Sequence, residues 1–400
     1  MKKLLILAAA AALLLVSCAK VETTQISENT GNIPVAFSNY VPRSITKATS
    51  SLVDAAVLTN GTHFGVYAWA QPYTGENPTP LTANPGTPAF MSDVDVTYGG
   101  DTGSGAANAY SPKRYWPAGD KPDYLSFIAY YPYQGAGITA PTFATGVGTY
   151  AFAAQSTSAT MIDFMVADVV NDQLYGATNK YNTTHDADHK GTVQFTFKHQ
   201  LAKVQFMFKK KAGLDATTVI ELVDAKLNKI QTTGTLAATY NASTHATTTT
   251  WSNQAIAATP IVYDVTLDQA NPESGSEIVL EETVNTVHQD DIFLMVPQTM
   301  FANSNANAQY LEVTWNVKVY DTDAHAATND GTGLISTTTN SKKLYLDDCV
   351  QNDGETAANI DWAKNNVINY TITIGPNPIL FTATVTEWDD TAQNGYFIVN

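Results

Sequence analysis

Val193-Gln194-Phe195-Thr196-Phe197-Lys198-His199-Gln200-Leu201-Ala202-Lys203-Val204-Gln205-Phe206-Met207-Phe208-Lys209 decides the fold class. In its first part Val193, Phe195 and Phe197 alternate with Gln194, Thr196 and Lys198. In its last part Val204, Phe206 and Phe208 alternate with Lys203, Gln205 and Lys209. A period of two sends alternate side chains to opposite faces of a strand. Two stretches with one greasy face and one wet face belong in an antiparallel sheet. Phe195, Phe197, Val204, Phe206 and Phe208 are therefore expected to be buried on one side of adjacent strands.

The same period recurs on both sides of this stretch. Upstream, His63 to Trp69 and Leu125 to Tyr130 read as strands, with Phe64, Tyr67 and Trp69 placing aromatic area on both faces. Met161 to Val166 is a third. Downstream, strands are predicted at 219–227, 291–296, 311–320, 343–346, 366–374 and 379–386. In the 366–374 strand, Ile368, Tyr370, Ile372 and Ile374 share one face. Residues 231–260, rich in Thr, Ala and Asn, read as exposed strands or a long hairpin. Helical periodicity is nearly absent; 357–365 is expected to form one or two helical turns. Stretches such as 71–89 and 99–112 are rich in Gly, Pro, Asn and Thr and read as loops. Many short strands between turn-rich loops mean an all-β sandwich or barrel. The 400-residue length suggests two domains, divided near residue 190 at the polar link His185-Asp186-Ala187-Asp188-His189.

The N-terminus reads as an export signal. Lys2 and Lys3 precede an apolar run from Leu4 to Val16, shorter than the roughly 20 residues that a bilayer span needs. The run ends in Leu15-Val16-Ser17-Cys18, a lipobox whose cysteine accepts diacylglycerol. Residue 19 is Ala rather than Asp, so retention in an inner membrane is not signalled. Residues 1–17 are read as the lipoprotein signal peptide and 18–47 as a lipidated tether that includes a first strand. The other cysteine, Cys349, then has no thiol left to bridge and is expected to be a buried structural thiol.

The formal charge is −16, with charged residues only 14% of the chain. The first 47 residues hold five Lys/Arg (2, 3, 20, 43, 47) and two Glu (22, 28), so the rest carries −19. Such a body repels nucleic acid and anionic lipid headgroups.

Catalytic and metal motifs fail on inspection. Asp101-Thr102-Gly103-Ser104 matches an aspartic-protease tetrad in letters, but that chemistry needs two carboxylates sharing a proton, and no second copy occurs. His185 and His189 would chelate a metal only on a helix, and nothing nearby supports one. Asp321-Thr322-Asp323-Ala324-His325 lacks the Gly and distal Glu of a calcium loop. No catalytic residue, cofactor or metal is expected. The 20 Tyr and 6 Trp leave a carbohydrate contact open, densest at Tyr115, Trp116, Tyr130, Tyr131 and Tyr133.

Several segments together resemble the fimbrillin-like family, two-domain pilins exported as lipoproteins and assembled on the cell surface as type V pili. They are Ile33 to Phe37; Phe64-Gly65-Val66-Tyr67; Arg114-Tyr115-Trp116-Pro117 with Leu125 to Pro132; Phe197 to Val204; and Trp362 with Asn366 to Ile374 and Trp388. The resemblance implies two transthyretin-like β-sandwiches in tandem: residues 48–190, with 33–37 as first strand in the precursor, and residues 191–400. It implies an outer-membrane lipoprotein precursor, cleavage at Arg43 or Lys47 by a protease specific for basic residues, and polymerisation by strand exchange. The partners implied are other pilin subunits, with a host or bacterial surface ligand to follow. Tyr396-Phe397-Ile398-Val399, apolar on both faces, is the candidate donor strand; an ordinary last strand is the other reading of it. A surface lipoprotein that binds glycans without polymerising is the alternative function.

Overall fold

The computed structural model describes residues 33–40, 61–72, 88–99, 109–118, 123–135, 137–144, 146–174, 192–241, 246–265, 278–283, 292–349, 360–376 and 380–387. The first described strands are β1 (Ala36–Tyr40), β2 (His63–Gln71), β3 (Met91–Thr97), β4 (Tyr124–Tyr131), β5 (Thr142–Ala144), β6 (Val147–Ala153), β7 (Met165–Ala167), β8 (Val170–Gln173), β9 (Thr192–His199) and β10 (Ala202–Lys210). They continue as β11 (Thr218–Asn228), β12 (Thr233–Asn241), β13 (Ala246–Ala255), β14 (Tyr263–Asp264), β15 (Ile278–Val279), β16 (Phe293–Met295), β17 (Tyr310–Tyr320), β18 (Leu334–Tyr345), β19 (Asn366–Ile374) and β20 (Leu380–Glu387). A single helical turn and a half, α1 (Asp323–Thr328), lies between β17 and β18. The protein is all-β, as the alternation predicted. The expected helical turns at 357–365 are absent over 360–365, where Trp362 instead makes a bridge with Gln298.

Four sheets hold these strands. The first has the order β1-β9-β7-β4-β2-β3, with β8 also on β4. Its central strands are apolar on both faces, and both faces are covered. Phe64, Val66, Phe127 and Ala129 enter one core with Phe195 and Phe197. Tyr67, Trp69, Ile128 and Tyr130 enter another with Tyr150, Phe152, Leu236 and Tyr240. The second core is closed by a sheet of order β13-β12-β6-β5. The remaining two sheets, β16-β10-β19-β20 and β14-β11-β17-β18 with β15 on β11, enclose a third core. Ile368, Tyr370, Ile372 and Ile374 all face into it, with Tyr370 stacked on Phe206 at 5.1 Å.

The decisive stretch folds differently from expectation in two respects. Its strands join mixed rather than antiparallel sheets, since β9 pairs in parallel with β1 and β10 in parallel with β19. Phe195, Phe197, Val204, Phe206 and Phe208 are all buried, but β9 and β10 are not neighbours. β9 lies between β1 and β7 in the first sheet, while β10 lies between β16 and β19. The first two Phe therefore belong to one core and the other three residues to a different one. His199-Gln200-Leu201 carries the chain across. Gln200 N donates to Phe164 O at 2.8 Å, Asn365 N to Leu201 O at 2.9 Å, and Trp251 Nε1 to Gln200 O at 2.8 Å. The His199 ring pairs with Asp163, both fully buried.

Strands from both sides of residue 190 share sheets. β9, beyond that point, completes the first sheet, and β12 pairs with β6 from Thr233↔Ala153 to Thr239↔Val147. The polar link at 185–189 lies outside the described residues; its composition marked a loop and carried no information about which sheet the next strand would join. The expected hairpin in 231–260 is β12–β13, and its β12 is not simply exposed, since Leu236, Ala238 and Tyr240 are core residues.

Candidate functional site at the first strand

Val35 and Phe37 alternate with Pro34 and Ala36, so the larger side chains share one face of the extended segment. That face is turned into the first core: Val35 is 1% exposed and Phe37 3%. Phe37 occupies an aromatic slot, with ring centroids 5.4 Å from Tyr110, 6.0 Å from Phe127 and 5.6 Å from Phe195. Burial of a Val or Phe side chain contributes about 1.5–3 kcal/mol, so the short segment is held chiefly by these two.

The backbone of the segment is paired on both sides. Toward the sheet, β1 runs parallel to β9, with Ala36↔Thr192 through Tyr40↔Thr196 in register. On the other side, Val35 N donates to Arg114 O and Trp116 N donates to Ile33 O, each at 2.9 Å, around a Pro34–Tyr115 bridge. Tyr110 Oη donates to Val35 O at 2.7 Å. Desolvation holds the Tyr110 phenol above its ordinary range. Lifting out residues 33–40 would strip the partners from β9 on one side and from 114–116 on the other, and open a slot lined by Tyr110, Phe127 and Phe195. Parallel pairing of β1 to a strand more than 150 residues away is a contact that only the tertiary structure makes.

The other residues singled out in the sequence fall as follows. Cys18, Arg43, Lys47, Tyr396, Phe397, Ile398, Val399 and Trp388 lie outside the described residues, as do the Asp101–Ser104 tetrad and His185 to His189. Cys349 is fully buried in the third core, and burial pushes its thiol well above the ordinary range. Asp321 to His325 forms the start of α1: Thr322 caps it by accepting from His325 N, and the His325 ring bonds Asp321 at 2.5 Å. That hydrogen bond holds the exposed Asp321 carboxyl below its usual range.

The aromatic residues singled out at 115–133 differ in exposure. Tyr115 is 48% exposed, but Trp116 and Tyr130 are buried, and Tyr131 and Tyr133 are half-buried. Tyr130 Oη is taken by Asp93 at 2.8 Å. Asp93 and the Asp163–His199 pair were missed from the sequence, because each meets its partners across more than 30 residues with no local motif to mark them.

The chain is all-β, and its first described strand lies at the edge of the first sheet with its apolar side chains in that sheet's core. The sequence model of a family described as Fimbrillin-like matches residues 46–388, so the chain belongs to the fimbrillin-like family. It is 27% identical over 231 residues to the fimbrium subunit Fim1C of Phocaeicola vulgatus, a match covering 56% of each protein. The chain thus spans about half the length of that curated relative. A crystal structure of a fimbrial protein from Bacteroides vulgatus ATCC 8482 superposes with a TM-score of 0.59 at 21% identity, over 89% of this chain and 99% of that one. That likeness shows the fold.

Proposed function

We propose that this protein is a structural subunit of a cell-surface fimbrium. It is exported as a lipoprotein anchored to the outer membrane through Cys18, cleaved after Arg43 or Lys47, and polymerised by donor-strand exchange. The observation that carries the reading is the double pairing of residues 33–40, with Val35 and Phe37 driven into the core at the edge of the first sheet. Both basic residues follow this strand in the sequence, so one cut separates it, and the lipid with it, from the body. The subunit then leaves the membrane with an open groove. A strand from another subunit restores the backbone hydrogen bonds, at about 1 kcal/mol net each, and the apolar burial. Tyr396-Phe397-Ile398-Val399 is the proposed donor, and the fibre's role is adhesion to a host or bacterial surface.

The test is N-terminal sequencing of the form recovered from the cell surface, beside its oligomeric state. Mature chains beginning at Ser44 or Ala48 in polymers are expected. Fibres whose subunits keep residues 19–47 would overturn the proposal. Glycan binding by an uncut monomer would favour the lipoprotein alternative.

A further inference from the structure

We propose that the donor strand enters the groove in the direction opposite to the strand it replaces, so that a parallel pair with β9 becomes an antiparallel one. This rests on the strand-exchange reading above and adds to it the direction and register of the incoming segment.

The argument starts from the order of the two sites in the groove. Travelling along β9 from Thr192 toward His199, the resident strand presents first Val35 and then Phe37, because the pair is parallel. The first site is valine-sized and closed, at 1% exposure, with Tyr110 Oη bonded to the Val35 carbonyl beside it. The second is aromatic-sized, ringed by Tyr110, Phe127 and Phe195 at 5.4–6.0 Å. Interiors are packed too densely to exchange these volumes: a ring in the first site overpacks it, and an aliphatic chain in the second leaves a void.

The candidate donor, Gly395-Tyr396-Phe397-Ile398-Val399-Asn400, has the reverse order. Its alternate pairs are Tyr396 with Ile398 and Phe397 with Val399, aromatic first and aliphatic second. No parallel register puts the aliphatic residue before the aromatic one. An antiparallel register does so directly, with Phe397 in the place of Phe37 and Val399 in the place of Val35. This register is preferred to the one using Tyr396 and Ile398, because the slot now holds a ring without a hydroxyl, and a buried tyrosine needs a partner for its own. It turns Tyr396 outward. Antiparallel ladders are also slightly more stable per residue than parallel ones, which favours exchange over return of the original strand.

The register gives a cross-linking test. Phe37 is opposite Val193 and Ser38 opposite Gln194. With Phe397 replacing Phe37 in reverse, Tyr396 lies opposite Gln194. Opposed Cα atoms in an antiparallel pair are about 4.5–5.5 Å apart, within disulfide reach. Gln194→Cys is combined in turn with Tyr396→Cys, Val399→Cys and Asn400→Cys, and the cleaved subunits are polymerised under oxidising conditions. Inter-subunit disulfide ladders are expected from the 194/396 pair alone. In either parallel register, position 399 or 400 comes opposite 194 instead. Ladders from those pairs and none from 194/396 would overturn the proposal. Fibres of normal length with no disulfide from any pair would overturn it too, since the tail is then not seated in this register. If cleaved wild-type protein forms no fibres, the strand-exchange reading itself fails, and this inference with it. Unchanged denaturation midpoints of the uncut double variants check that the cysteines leave the fold intact.

Discussion

The ring of Phe37 stacks on that of Phe195, with centroids 5.6 Å apart and planes 22° from parallel, although Phe37 is opposite Val193 in the strand pair. The contact is therefore diagonal, and it ties the first strand to the core of a sheet built from residues far along the chain. Phe37→Ala in a non-lipidated, uncut precursor is expected to cost about 3–5 kcal/mol in denaturant unfolding, the usual loss for removing a buried ring. A loss below about 1 kcal/mol would mean that the strand does not hold the core closed.

The anchor is tested at Cys18. Cys18→Ala is expected to abolish labelling by a fatty-acid probe and to release or mislocalise the protein. Labelling that persists in this variant would remove the lipobox reading, since Cys349 is buried and is not a substrate for acylation.

Processing is tested by changing Arg43 and Lys47 together to Ala. The product is expected to be folded, lipidated and monomeric, and to accumulate at the membrane, because residues 33–40 still fill the groove. Deleting Tyr396 to Asn400 should leave cleavage intact and weaken polymerisation. Gel ladders and membrane fractionation distinguish the two variants.

Gly65 is required by the ring of Tyr130. The two are directly opposite on β2 and β4, and a Cβ built on Gly65 would lie 2.1 Å from Tyr130 Cε1. Gly65→Ala must displace a fully buried ring whose hydroxyl is bonded to Asp93. A loss of about 1–3 kcal/mol is expected from such overpacking, read by thermal or chemical unfolding. Adding Tyr130→Phe should not restore it, because the clash is with the ring.

The Cys349 thiol gives a pH signature. Burial favours its neutral form, so its folded pKa is raised above the ordinary value. Stability from this group is complete below the ordinary thiol range and falls as pH rises through and above it. In a Cys18→Ala background, alkylation of Cys349 is expected to track global unfolding, and Cys349→Ala should flatten the alkaline loss of stability. Fast alkylation of the native protein at neutral pH would contradict the burial.

Much of the local structure was legible. The strands at 63–69, 125–130, 219–227, 311–320 and 366–374 stand where alternation put them, and the inward faces are correct at Ile368, Tyr370 and Ile372. β3 and β6 were missed. Met91-Ser92-Asp93-Val94-Asp95-Val96-Thr97 carries two carboxylates, and Val147-Gly148-Thr149-Tyr150-Ala151-Phe152-Ala153 carries a glycine. Both weaken a strand signal, and both strands are held by partners on β2 and β12. The motifs that marked the family gain physical reasons: Phe64-Gly65-Val66-Tyr67 and Leu125 to Tyr131 are one glycine-and-ring pair of strands, and His199-Gln200-Leu201 is a crossover.

By itself the sequence determined the strongly alternating strands and which side chains on each of them point the same way, because a period of two is a property of the extended backbone and needs no partner. It did not determine the partners. Every strand offers the same backbone donors and acceptors, so the ladder itself is blind to identity, and the choice falls to side-chain volumes meeting across long loops. Only the tertiary structure separated β9 from β10, joined β6 to β12, and brought β1 beside β9 in parallel. In that last contact Val35 and Phe37 find sites sized for them, and the groove on which the proposed assembly depends comes into being.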